Sequence, residues 1–138
     1  MTDPARGIVV AHGRVAEALV ETVERIAGVR GALTALSNDD AAAESLADRV
    51  ADLARGANVV LFADLASGSC GVACRRASGP AAEIPVVTGV NLPMLLDFVF
   101  HRDLPAAELA RRAAEKGTAG IEALRSLEAS DAARPAAD

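Results

Sequence analysis

Four short apolar runs alternate along the chain with longer stretches in which apolar residues recur every three or four positions. The apolar runs span residues 7–12, 32–36, 59–63 and 84–88. Runs of this length that end at turn residues predict buried strands. The stretches with helical spacing span residues 14–27, 41–55, 69–77, 92–100 and 105–127. Strands that alternate with helices predict an α/β protein, with a parallel sheet covered by helices on both faces.

Turn and capping residues stand at several of the predicted helix boundaries. The run Asn38-Asp39-Asp40 offers N-cap side chains before the second helix, and Gly56 follows the end of that helix. Pro105 stands at the start of the last helix, where its missing N–H costs nothing. In the first helix, the residues predicted by their spacing to face the core are Val15, Leu19, Val23 and Ile26.

The length and composition of the chain fit a single folded domain. The chain has 138 residues, of which 51% are hydrophobic, and this is enough to bury a core. We assign residues 1–127 to the domain and expect the Ala-rich segment 128–138 to be a flexible tail. No signal-peptide pattern stands at the N-terminus, and Pro, Gly and Asp interrupt the longest apolar stretch, residues 84–100. We therefore expect a cytoplasmic protein without a membrane span.

Charge and composition argue against several classes of ligand. The net charge is −5, and the chain has three Phe but no Tyr or Trp, so we expect no binding to nucleic acid. No G-x-G-x-x-G follows the first predicted strand, and we expect no nucleotide or flavin cofactor. Cys70 and Cys74 stand four positions apart, a spacing that places both on one helical face. We predict no metal site, because the chain offers too few Cys and His ligands near one another in sequence.

The residues with candidate chemistry come directly after predicted strands. His12 ends the first apolar run, Asp64 follows the third, and Asn91 comes shortly after the fourth. The carboxyl ends of parallel strands share one edge of a sheet, where open α/β folds place their functional sites. If the first and third strands are neighbours, His12 and Asp64 meet at that edge. Asn91 is a candidate supporting residue there, or simply the N-cap of the fourth helix.

A small polar loop joins Asp64 to the third predicted helix. Free N–H groups at a helix N-terminus bind anions, and a carboxylate bound to one ring nitrogen of a histidine leaves the other as a nucleophile. This combination predicts reversible capture of a phosphoryl group on His12, with Asp64 orienting the ring. The candidate phosphoryl-binding residues are Gly13, Ser67, Gly68, Ser69, Cys70 and Gly71.

Three segments of the chain together carry a resemblance to a known family. They are Val9-Val10-Ala11-His12-Gly13, Leu61-Phe62-Ala63-Asp64 with Gly68-Ser69, and Gly89-Val90-Asn91-Leu92-Pro93-Met94-Leu95. Taken together, they resemble the IIA component of the mannose-type bacterial sugar phosphotransferase system (PTS), and the resemblance extends from Gly7 to about Leu127. It implies a flavodoxin-like, three-layer open sheet, mainly parallel, with strand order 2-1-3-4, and often a homodimer.

The resemblance also implies a function and partners. In that family a histidine takes a phosphoryl group from the phosphocarrier protein HPr and passes it to a IIB component. His12 would be this histidine, Asp64 its orienting partner, and Ser69 the hydroxyl and backbone group at the third helix. Such a phosphotransferase needs no cofactor and reaches the membrane only indirectly, through a transporter complex. Residues 65–72 lack the Trp, Pro and Asn typical of the family, which leaves open the IIB partner and the choice between transport and regulation.

Three other interpretations remain open. Cys70 and Arg76 match a Cys-x5-Arg pattern, in which a thiolate attacks phosphorus and an arginine binds the phosphate, as in cysteine-dependent phosphatases. This hypothesis leaves His12 without a role. A second relative is the histidine phosphocarrier subunit of dihydroxyacetone kinase, although residues 89–95 fit the mannose-type family better. The third interpretation is a regulatory domain that binds partners without catalysis.

Overall fold

The described part of the chain, residues 3–40, 43–81 and 83–124 of a computed structural model, forms one parallel sheet of four strands. Their order is β2-β1-β3-β4, and every neighbouring pair is parallel. The register places Val10 of the first strand opposite Ala63 of the third. The predicted α/β class and strand order are confirmed. The strands are β1 (Arg6–Ala11), β2 (Leu33–Ser37), β3 (Val59–Ala63) and β4 (Val86–Thr88).

Helices cover both faces of the sheet and create two apolar cores. The helices are α1 (Val15–Ala27), α2 (Ala43–Leu53), α3 (Ser69–Ser78), α4 (Leu92–Phe100) and α5 (Ala106–Ala119). On one face, α1, α4 and α5 pack against Val9 and Phe62. On the other, α2 and α3 pack against Ile8 and Leu61. Alternate residues of β1 and β3 thus lie in opposite cores, which explains why both strands are apolar along their length.

The last helix is shorter than predicted. It ends at Ala119, whereas the spacing of apolar residues predicted a helix to residue 127. Gly120 follows it, and glycine is a poor helix former. The apolar side chains beyond this point, Ile121 and Leu124, are exposed, so no core contact favours the continuation of the helix. Residues 125–138, which include the predicted tail 128–138, lie outside the described residues.

Two further predictions about the helices need correction. In α1, the buried face is formed by Ala16, Val20 and Val23, while Val15 and Ile26 are exposed. Small Ala16 packs in the core, where spacing alone favoured the larger Val15. The run 38–40 forms a short 3₁₀ helix rather than a simple cap. None of the helices within the described ranges has the length and apolar character needed to cross a membrane.

Candidate functional site

His12 and Asp64 meet at the carboxyl edge of the sheet. Each residue directly follows its strand, and β1 and β3 are neighbours in the sheet. One oxygen of Asp64, Oδ2, accepts hydrogen bonds from the backbone N–H of His12 at 2.9 Å and from Nδ1 of its ring at 2.8 Å. The other oxygen, Oδ1, accepts from the backbone N–H of Leu65 at 2.9 Å. The carboxylate is therefore fixed on both sides, and it fixes the orientation of the imidazole.

The protein environment keeps Asp64 ionised at neutral pH. Partial burial acts to raise the pKa of this carboxyl group, but the hydrogen bonds from His12 and Leu65 and the charge of the imidazole outweigh it and lower the pKa. An ionised carboxylate only accepts hydrogen bonds, so Nδ1 of His12 carries the proton of the shared bond. Whenever the ring is in its neutral form, its lone pair is then on Nε2. The His12 side chain is 40% exposed, against 16% for Asp64, so the ring is the more accessible member of the pair.

The first turn of α3 faces the free nitrogen of His12. The Ser69 hydroxyl oxygen lies 3.4 Å from Nε2, and Ser69 is the first residue of the helix. The N-cap, Gly68, has no side chain to bond the N–H groups of this turn. These N–H groups form the positive end of the helix dipole, which lies beside Nε2. The arrangement suits a negatively charged group attached to the imidazole.

Two glycines allow this close arrangement. A Cβ at Gly68 would lie 3.0 Å from Cε1 of His12, so the absence of a side chain leaves room for the ring. A Cβ at Gly71 would lie 2.3 Å from the carbonyl oxygen of Leu65 and 2.5 Å from that of Ala66. The loop after Asp64 therefore folds tightly against the first turn of α3 only because Gly71 has no side chain.

Asn38 is a site residue that the sequence analysis assigned only to helix capping. Its Oδ1 accepts a hydrogen bond from the backbone N–H of Gly13 at 3.0 Å. Gly13 has a φ of +58°, a conformation that glycine adopts without strain. The bond holds the turn that follows His12. Asn38 directly follows β2, at the same edge of the sheet, and this position was the one indication of its role in the sequence.

The remaining candidate residues occupy different environments. Ser67 is exposed in the loop after Asp64. Asn91 is the N-cap of α4: its Oδ1 accepts from the N–H of Met94 at 3.1 Å, and its Nδ2 donates to the carbonyl of Gly117 at 3.2 Å. The Asn91 side chain thus joins α4 to α5.

The structure does not form the phosphate-binding loop that a cysteine-dependent phosphatase requires. Cys70 and Cys74 are buried on α3. Burial, followed by the charge of Asp64, raises the pKa of Cys70 to about 11, and burial raises that of Cys74 to about 12. Arg76 is exposed in the last turn of the helix, about 9 Å along the axis from Cys70. A protonated thiol and an arginine at opposite ends of a helix do not act together on one phosphate.

The fold and the site together define an α/β protein of flavodoxin-like topology with a His–Asp pair beside a helix N-terminus. The chain belongs to the mannose-type IIA family of the PTS: a family model described as "PTS system fructose IIA component" matches residues 7–115. This membership makes it a phosphotransferase-system component and implies a phosphocarrier role, with HPr and a IIB component as the interacting proteins. None of the curated protein sequences compared with the chain matches it significantly.

Solved structures show the same fold in other proteins. PTS component EIIA from Streptococcus agalactiae is 20% identical, with a TM-score of 0.78, and the match covers 86% of this chain and 96% of that one. The mannose/sorbose-specific IIA subunit from Enterococcus faecalis is 22% identical, with a TM-score of 0.76 and coverage of 88% and 96%. A sigma-54 interaction domain protein from Enterococcus faecalis is 11% identical, with a TM-score of 0.70 and coverage of 86% and 94%. These identities support the fold alone.

Proposed function

We propose that Nε2 of His12 accepts a phosphoryl group from phospho-HPr and passes it to a separate IIB component. One observation carries this proposal: Asp64 holds Nδ1 of the ring at 2.8 Å, while Nε2 faces Ser69 at the start of α3. The bond to Asp64 keeps the lone pair on Nε2 and stabilises the positive charge that develops on the ring during attack. Family membership supports the same role.

The transfer requires positioning and charge stabilisation rather than further covalent chemistry. As the bond between Nε2 and phosphorus forms, the bond between phosphorus and its donor breaks, and the donor leaves with that electron pair. The N–H groups of Ser69, Cys70 and Gly71 stabilise the phosphoryl oxygens from the helix end. In the second transfer, the acceptor group of IIB attacks phosphorus. The bond between phosphorus and Nε2 then breaks, and His12 is released with its lone pair restored.

The surroundings of His12 suit a protein partner. Its ring is partly exposed, and two exposed apolar residues stand close to the pair in sequence: Val15 follows His12 after two residues, and Leu65 directly follows Asp64. A modest, transient interface would let the two carriers exchange quickly. We place the protein in the cytoplasm as a homodimer that reaches the membrane only through a transporter complex. Whether the phosphoryl group then serves transport or regulation depends on the acceptor that receives it.

The proposal is tested by incubating the protein with phosphoenolpyruvate, enzyme I and HPr. We expect one phosphoryl group per chain, labile in acid and stable in base, and no label on the His12→Ala variant. His101→Ala is the matched control and should be labelled like the wild type, since His101 lies at the end of α4 and contacts Asp97 and Arg112. An unlabelled wild type, or label that persists in His12→Ala, would reject the proposal.

A further inference from the structure

Folding brings together three side chains with metal-binding atoms. His12, Asp64 and Cys70 offer a ring nitrogen, a carboxylate oxygen and a sulfur atom, and these three atoms all lie within 4.8 Å of one another. They come from the ends of two strands and from the first turn of α3. Because His12 is far from Asp64 and Cys70 in sequence, the sparse Cys and His residues of the chain did not predict a metal site.

The spacing and the chemistry of these atoms suit zinc and related ions. Imidazole, carboxylate and thiolate are all zinc ligands, at about 2.0–2.3 Å from the metal. At the tetrahedral angle, two ligands of one zinc ion therefore lie about 3.3–3.8 Å apart. The widest of the observed spacings, at up to 4.8 Å, has to close by about an ångström to reach this range. Three protein ligands also leave a fourth position for water, as in zinc sites that exchange ligands.

We propose that a thiophilic divalent cation of the zinc class binds between His12, Asp64 and Cys70 and competes with phosphorylation of His12. The binding is independent of the proposed phosphocarrier function, whereas the competition rests on it. As the metal–sulfur bond forms, the Cys70 thiol releases its proton to solvent, and no group is oxidised or reduced. A ring nitrogen and a carboxylate oxygen donate lone pairs to the same ion.

The competition follows from the geometry at His12. A metal ion on Nε2 occupies the lone pair that would attack phosphorus. A metal ion on Nδ1 displaces the proton shared with Asp64, and in the neutral ring this proton moves to Nε2, which then has no lone pair to attack phosphorus. In either case the imidazole can no longer act as the nucleophile, so metal-bound and phosphorylated forms exclude each other. The site thus gives the protein a response to free zinc.

Metal binding is tested with cobalt(II), which replaces zinc and absorbs in the near ultraviolet when bound to a thiolate. We expect this band on titration of the wild type and of Cys74→Ala, and its loss in Cys70→Ala. Cys74 is the matched control, because it is also a buried cysteine on α3 but does not belong to the cluster. No band in the wild type, or a band retained in Cys70→Ala, would overturn the proposal.

A second variant keeps the test valid if Cys70→Ala does not fold. His12→Ala removes a partly exposed side chain and leaves both apolar cores intact. We expect it to weaken cobalt binding at least tenfold. An unchanged affinity in this variant would contradict the assigned ligand set.

Competition is tested with purified phospho-HPr as the donor, with and without saturating zinc. We expect zinc to lower phosphoryl uptake at least tenfold in the wild type and in Cys74→Ala. In Cys70→Ala, uptake should equal the metal-free rate of the same variant. A cobalt band with uptake that zinc does not change would overturn the competition. If the wild type takes up no phosphoryl group even without zinc, the phosphocarrier proposal fails, while the cobalt band still reports on the metal site.

Discussion

Gly68 lies against the imidazole of His12, so that a Cβ at this position would be 3.0 Å from Cε1 and 3.5 Å from Nε2 of the ring. Gly68→Ala should therefore push the partly exposed ring out of the orientation that its bond to Asp64 holds. Since displacement by a fraction of an ångström upsets in-line attack, we expect the rate of phosphorylation by phospho-HPr to fall about tenfold or more. Gly68 has a φ of −82°, which alanine also adopts, so the melting temperature should change little. An unchanged rate would show that this contact does not position the ring.

Asp64→Asn removes the charge of Asp64 but keeps a side chain of nearly the same shape, and it should slow phosphorylation. In Asp64→Asn, an amide N–H2 facing Nδ1 favours the ring tautomer that has its proton on Nε2, where the lone pair is needed. We expect the rate of phosphoryl uptake in single-turnover experiments to fall by about 10²-fold or more. Asp52→Asn, which changes an exposed carboxylate on α2, serves as the control. Equal rates for the two variants would contradict the orienting role of Asp64.

Substitution of Gly71 should affect stability as well as the site. The Cβ of Gly71→Ala would lie 2.3 Å from the carbonyl oxygen of Leu65, and a backbone atom cannot move aside as a flexible side chain can. The loop must shift away from α3, and we expect the free energy of unfolding to fall by about 2 kcal/mol or more. Urea denaturation measures this loss. A smaller loss in Gly71→Ala than in Gly68→Ala would be the opposite of what the geometry implies.

The buried thiols should make the protein sensitive to alkaline pH. An unperturbed cysteine loses its proton near pH 9, but in the folded state the pKa values of Cys70 and Cys74 are raised to about 11 and 12. Above pH 9 the unfolded chain therefore binds fewer protons than the folded one, and stability falls as pH rises, by up to about 1.4 kcal/mol per pH unit for each thiol.

The measurement compares urea midpoints between pH 8 and pH 10.5 for the wild type and for the double variant Cys70→Ala/Cys74→Ala. The chain contains no Tyr, whose titration would otherwise overlap this range. We expect the wild type to lose more stability across the range than the double variant. Parallel pH dependences would mean that the thiols ionise alike in the folded and unfolded states.

The sequence predicted the sheet and the meeting of His12 with Asp64 for one physical reason. In a parallel sheet covered on both faces, buried strands are continuous apolar runs, so the polar residue after each run marks a strand end. The order of the strands decides which ends are neighbours, and the family resemblance supplied that order. His12 and Asp64 could therefore be paired, although 52 residues separate them.

Other features depend on packing that periodicity does not contain. The helical spacing in α1 favoured Val15 and Ile26 for the core, but both are exposed, and Ala16 and Val20 are buried instead. Gly71 was predicted for its N–H group, whereas the fold also requires its missing side chain. The role of Asn38 depends on the turn at Gly13, a backbone geometry that residue types alone do not specify.

The proposed phosphoryl transfer takes place at one nitrogen atom, Nε2 of His12. It is tested most directly by phosphorylating ¹⁵N-histidine-labelled protein with phospho-HPr and recording the coupling between phosphorus and nitrogen by NMR. We expect a single phosphohistidine with phosphorus on Nε2 of His12 and the Nδ1 proton still bonded to Asp64. Phosphorus on Nδ1, on His101 or on a side chain other than histidine would contradict it.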